Sequence, residues 1–224
     1  MDPLEDAPGD QPEIDPAFYL ENNTEFKKLP TKLQALILAS PMARNQMATL
    51  LRNGLTIEIS ANMGLYQAEY NPTDNKIILD AATINDEFSS DADYAASIMI
   101  STIAHEIGHA LAHMNALFPQ ATTLGEFIET YKLKEAFAIL NSMLISSELE
   151  GSTGMDVINV GYATDGELTA LFNAFAVHKN IDTLLSQYGD LFINAEWPGG
   201  TDMDGDGKTS QKDKAISQYN DGYR

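Results

Sequence analysis

The stretch STIAHEIGHALAHM, residues 101–114, carries three of the chain's four histidines, His105, His109 and His113, with Glu106 among them. On a helix, His105 and His109 lie one turn apart on the same face, close enough to grip one divalent ion. Glu106 leaves the helix in a neighbouring direction and cannot join them. It can instead touch water held by the ion and take its proton. The HExxH spacing therefore points to zinc, and the competing reading is a buried structural helix that happens to contain imidazoles. The flanking Thr102, Ile103, Ala104, Ile107, Gly108, Ala110 and Leu111 are all uncharged, as a dry site requires. Gly108 costs about 1 kcal/mol against alanine in mid-helix, which suggests that another backbone or side chain comes close there. His113 sits eight residues beyond His105, about 12 Å along a straight helix, too far to share an ion with both others. The position ten after the first histidine is Asn115, so no third histidine follows at that interval.

The third ligand must come from elsewhere, and with no cysteine in the chain it must be His, Asp or Glu. Leu124, Ile128, Tyr131, Glu135 and Ile139 recur at helical intervals, placing Glu135 within an apolar stripe. A carboxylate there is costly unless something positive meets it. A metal would meet it, and so would Lys132 or Lys134 if Glu135 reaches the surface. Asp165 is the alternative ligand, although Thr164 with Glu167 reads as a capping box that explains that stretch without metal. Amide hydrolysis at such a site calls for a further oxyanion donor. His178, Tyr162 and Tyr188 are the candidates, led by His178, the one histidine outside the HExxH helix.

The surrounding elements read as α+β, mostly helical. From Pro16 to Leu51 apolar residues recur at helical spacing, with Pro30 and Pro41 as breaks, predicting two or three short helices that end near Asn53-Gly54. Then LTIEIS, LYQAEY and KIILD, with NPTDN as a turn, predict a small antiparallel hairpin sheet. A long helix follows, with Ser89, Ser90 and Asp91 as N-cap candidates, continuing to Leu117 before Pro119. A second runs from about Leu124 to Leu149, and a third from about Thr164 to His178 with a partner near Ile181 to Tyr188. Residues 1–16, acidic and proline-rich, read as a disordered linker. Residues 17–198 form the main domain, and residues 199–224 a tail of different composition.

In that tail, DMDGDGKTSQKD places Asp202, Asp204, Asp206 and Asp213 at positions 1, 3, 5 and 12 of an EF-hand-like loop. Gly207 stands at position 6, Lys208 at 7 and Ser210 at 9, an arrangement that predicts a structural calcium site. Asp213 in place of the usual glutamate shortens the last ligand arm by a methylene. The preceding EWPGG cannot be a regular entering helix, whereas KAISQYN can be an exiting one.

The balance of 13 basic against 33 acidic residues gives a net charge of −20, which repels phosphate backbones and anionic lipid surfaces and argues against nucleic-acid binding. No apolar run approaches the roughly 20 residues needed to span a bilayer. The acidic start lacks the basic-then-apolar pattern of a signal peptide, so export would need another route.

HEIGHA, followed by a helix containing EAFAILNSMLISSEL, in which Glu135, Asn141 and Glu148 are spaced by 6 and 7, and then by STGMDVINVG, resembles the HExxH metallopeptidase toxin domains of bacterial polymorphic toxins and type VI secretion effectors. The resemblance covers roughly residues 76–161. Many relatives have a second acidic residue where this chain has Phe137. KIILD precedes the HExxH helix in the place where zinc peptidases carry the edge strand that pairs with substrate. The resemblance implies a zincin-like core, a glutamate zinc ligand, a protein or peptide substrate, delivery into a target cell by a secretion system and an immunity protein in the producer. Two other readings share the residues: a calcium-stabilised binding or adhesion module with a structural HExxH helix, and a non-toxic cellular zinc peptidase.

Overall fold

The computed structural model describes residues 14–61, 63, 67–81, 84, 92–155, 157, 170–171, 173, 180–197 and 200–221. The chain enters through α1 (Pro16–Asn22), whose N-terminus is capped by the Asp15 carboxylate accepting from Ala17 and Phe18 N–H. A 3-10 turn (Phe26–Lys28) leads to α2 (Thr31–Ala39) and α3 (Pro41–Arg52). Pro30 is the cap of α2 and Pro41 the first residue of α3, so each proline opens a helix where its missing N–H costs nothing. α3 stops at Gly54, which takes the left-handed conformation (φ +83°) and lets Leu55 N–H reach Leu50 C=O at 3.0 Å.

Three strands follow: β1 (Thr56–Ser60), β2 (Ala68–Asn71) and β3 (Lys76–Asp80), in the spatial order β1-β3-β2. β2 and β3 form the expected hairpin. β1 pairs parallel with β3, so the sheet is mixed and not purely antiparallel as the sequence suggested. This placement also corrects the reading of KIILD as the edge strand. Ile77 and Leu79 point into the core, Lys76 and Ile78 on the other face are half-buried, and the strand hydrogen-bonds a partner on each side; the strand beside the HExxH helix is β2. The outer edge of β1 is closed by an ion pair: Glu25 Oε2 accepts from Ile57 N–H at 2.8 Å, and Lys28 Nζ donates to Ile57 C=O at 2.9 Å. That pairing satisfies groups through which another strand could add.

Two long helices dominate the rest, α4 (Ala92–Met114) and α5 (Leu124–Thr153). α5 starts at a capping box of Thr123 and Glu126 and ends at Gly154, φ +70°. It runs past the expected Leu149 to Thr153. α6 (Ile181–Ile193) and α7 (Gln211–Asn220) complete the chain; the helix expected over 164–178 lies almost wholly outside the described residues, as do Ser89, Ser90 and Asp91.

The helices α4 and α5 run antiparallel along a seam of small and polar side chains. Ser101 Oγ meets Ser142 Oγ at 2.8 Å, and Asn141 Nδ2 donates to Ala104 C=O at 2.7 Å. At Gly108 an added Cβ would stand 2.7 Å from Ala138 Cα, so the close approach expected there is met by a neighbouring helix backbone. The C-terminal part of α5, with Ile145 and Leu149, packs into a core shared by α1–α4 and the sheet. Its earlier part packs through Ala136, Ile139, Leu140 and Met143 onto Leu184, Tyr188 and Phe192 of α6. Each large apolar side chain so buried contributes on the order of 1.5–3 kcal/mol. α5 is therefore gripped on both sides of the point where it crosses Gly108.

Candidate metal centre

The face of α4 that bears the histidines is set by the apolar residues behind it. Met99, Ile100, Ile103 and Ile107 are fully buried, which turns His105 and His109 toward α5. The crossing at Gly108 brings Glu135, one turn before Ala138, to the two imidazoles. His105 Nε2 and His109 Nε2 are 3.1 Å apart, and Glu135 Oε2 lies 3.3 Å from the first and 3.5 Å from the second. All three side chains are mostly buried, at 14–19 % exposure.

These three edges test whether an ion fits. Donors about 2.0–2.1 Å from a tetrahedral zinc ion stand about 3.3 Å from one another. The observed triangle matches that face, with a nitrogen-rich donor set typical of zinc and a fourth direction left for solvent or substrate. Burial pushes the Glu135 carboxyl up, but the charge of His109 and hydrogen bonds from both imidazoles more than offset it and hold the group well below the usual carboxylate range. Burial likewise pushes His109 down, and Glu135 more than reverses this, so His109 stays above its usual value.

Among the described residues the lysines near Glu135 do not replace that partner. Lys132 pairs with Asp190 at 2.9 Å and Glu129 at 3.3 Å, lying across Gly189. Lys134 is exposed and makes no ion pair with Glu135.

Glu106 is buried and held by backbone: its Oε2 accepts from Tyr70 N–H of β2 at 2.8 Å. Tyr70 was not legible as a site residue, because its contribution is an amide and any side chain would supply one. In the β2–β3 register Asp80 N–H donates to Gln67 C=O, so residue 70, three positions on, directs its N–H away from β3 and toward α4. The Tyr70 hydroxyl reaches Asn75 Oδ1 at 3.2 Å and His113 Nδ1 at 2.8 Å. Since the amide oxygen can only accept, the tyrosine donates to it and His113 donates to the tyrosine oxygen. His113 is thus exposed, apart from the triangle, and ties β2 to α4.

Tyr188, a candidate oxyanion donor, is fully buried between α5 and α6, with its hydroxyl 2.8 Å from Met143 Sδ. His178, Tyr162 and Asp165 lie outside the described residues.

In the tail, Asp202, Asp204 and Asp206 bring carboxylate oxygens within 4.8 Å of one another. Asp202 also accepts from Gly205 and Gly207 N–H, and Asp206 from Lys208 N–H, in a loop whose Gly205 and Gly207 take φ of +79° and +86°. Asp213 is buried and used differently: it accepts from Met203, Asp204 and Ser210 N–H and caps α7. A bridge between Glu196 and Ser210, flanked by Trp197 N–H to Thr209 C=O and Gln211 N–H to Ala195 C=O, closes the loop at its base. The two clusters, His105 with His109 and Glu135, and Asp202 with Asp204 and Asp206, each bring together donors that could hold a divalent ion.

No described helix is long and apolar enough to cross a membrane. Comparison with protein-family models, with curated proteins and with solved structures yields no match.

Proposed function

We propose that this chain is a zinc-dependent peptidase, a glutamate-type HExxH domain that cleaves amide bonds in a protein or peptide and acts as a delivered bacterial toxin. The observation that carries the enzymatic part is the triangle of His105, His109 and Glu135, with edges that suit a tetrahedral zinc ion. When bound, zinc supplies Lewis acidity, lowering the pKa of water from 15.7 to about 7. With Tyr70 N–H holding one carboxylate oxygen, Glu106 would be free to accept a proton at the other and to pass it to the leaving nitrogen. The amide of Tyr70 fixes the orientation of the carboxylate. Delivery into a target cell, and an immunity protein in the producer, rest on the family resemblance of the HEIGHA and EAFAILNSMLISSEL segments.

The tail loop takes a calcium ion on Asp202, Asp204 and Asp206 and serves as a structural clip, a role favoured by the convergence of their carboxylates at the foot of α7. Calorimetry with calcium near millimolar concentration tests this; no heat of binding removes the clip.

Elemental analysis of purified protein decides the main reading. Wild type is expected to carry one zinc, while His109→Ala and Glu135→Ala lose tight zinc. Glu106→Gln keeps zinc, since its amide oxygen still accepts from Tyr70, but loses about 100-fold or more of its turnover. Zinc-free wild type would sink the enzyme and leave a calcium-stabilised binding module. Growth arrest on expression, relieved by Glu106→Gln, separates a toxin from a housekeeping peptidase.

A further inference from the structure

Metal-bound histidines are usually oriented by a partner on their second ring nitrogen. His105 departs from this: its Nδ1 is buried and has no hydrogen-bond partner among the described residues. Its placement then depends on its Nε2 contacts and on where the helix backbone carries it. The residue before it, Ala104, receives an unusual contact for a helix interior, as its carbonyl accepts Asn141 Nδ2 from α5 at 2.7 Å. Asn141 is buried at 5 % exposure and is itself held, because Gln46 of α3 donates through Nε2 to its Oδ1 at 2.7 Å. The contact exists only because Gly108 lets the two helices meet at backbone distance.

Asn141 and Glu135 belong to the same helix, six residues apart, and Ala104 and His105 are adjacent in the other. The bond from Asn141 to Ala104 therefore fixes the axial register of α5 against α4 beside the triangle. A slip of one residue would move Glu135 by about 1.5 Å, a large fraction of its 3.3 Å distance to His105. Apolar contacts along the seam resist separation of the helices but resist sliding only weakly, whereas a directional bond to one carbonyl, braced from a third helix, resists sliding strongly. We infer that Asn141, braced by Gln46, is a positioning residue that locks the register at which Glu135 completes the metal site.

This inference rests on the zinc reading, and the test separates the two. Zinc affinity is measured by chelator competition for wild type, Asn141→Leu and Ser142→Ala, alongside the urea midpoint of each metal-free protein. Ser142→Ala is the control: it removes a bond to Ser101 Oγ and a longer one, 3.1 Å, to Ser101 C=O in the same seam, neither of them braced by Gln46 from α3. Asn141→Leu is expected to lose about 10-fold or more in zinc affinity, and Ser142→Ala to stay within about 3-fold at comparable loss of stability. Equal affinity in wild type and Asn141→Leu, or an equal loss in Ser142→Ala, overturns the lock while leaving the zinc site intact. If Asn141→Leu does not fold, Gln46→Met, which removes only the brace, decides: reduced affinity upholds the lock and unchanged affinity overturns it. Absence of zinc binding by wild type overturns the metal reading, and the lock with it.

Discussion

Two buried carboxylates define the centre, and their surroundings assign them different work. Glu135 lies between two imidazoles, has no lysine in contact among the described residues and is held ionised by positive charge beside it. Glu106 lies one residue from His105, yet its partner is a strand amide, which orients a carboxylate without neutralising it. A third carboxylate, Glu25, shows the same chemistry used for stability alone. Burial pushes it up, but the hydrogen bond from Ile57 N–H and the Lys28 ammonium outweigh that and hold it below its ordinary value of 4.5. Because its folded value is depressed, its stabilising effect is complete above about 4.5 and is lost as pH falls through the folded value. The urea midpoint of wild type should therefore fall relative to that of Glu25→Gln on acidification below about pH 4.5. Parallel pH profiles for the two proteins would show that the ion pair contributes nothing at the β1 edge.

At the scale of elements, the close crossing of α4 and α5 is the feature on which the site depends. Glycine is unfavourable in a helix by about 1 kcal/mol, so Gly108→Ala gains that in propensity. It also drives a methyl to within 2.7 Å of the Ala138 backbone, an overpacking that costs on the order of 1–3 kcal/mol. The helices must part, and Gly108→Ala should be neutral to destabilised by about 2 kcal/mol in urea while losing zinc affinity; a stabilised variant with unchanged affinity would contradict the crossing. The far end of α4 offers the opposite case. Ala116 takes φ +48° where the chain leaves the helix, with Leu117 N–H reaching Ala112 C=O. A left-handed alanine is strained by roughly 1 kcal/mol, so Ala116→Gly should raise the urea-derived stability by up to about that amount without touching the metal. A lower midpoint would mean the strain is absent.

For the whole molecule, the histidine–glutamate triangle and the aspartate cluster sit on parts of the fold joined through α5. Its early half packs on α6 and also meets α7, where Phe127 and Tyr219 rings lie 5.6 Å apart. Ions bound to the folded chain alone stabilise it by mass action, by about 2.7 kcal/mol at 100 times the dissociation constant. With a net charge of −20 the folded chain also repels itself, and each divalent ion relieves part of that. Chelation should therefore lower the thermal midpoint, zinc should restore it in wild type but not in Glu135→Ala, and calcium should restore its part in both. A midpoint indifferent to chelator and to both ions would count against either site.

The sequence by itself determined most of the described helices and the residues of the candidate triangle. Periodicity and prolines marked α1 to α3; the apolar run placed α4; and a lone carboxylate in the stripe of α5 singled out Glu135. These are readable because helices impose a short, local repeat, and because an ionised group among apolar neighbours is costly enough to need a partner. Tertiary structure alone decided that β1 joins β3 in parallel, that β2 and not β3 lies beside α4, and that a backbone amide of Tyr70 holds Glu106. It also decided that Gln46 and Asn141 brace the crossing. Strand order and helix register depend on contacts between segments dozens of residues apart, and an amide or a mid-helix glutamine looks the same in a sequence whether or not the fold brings it to such a place.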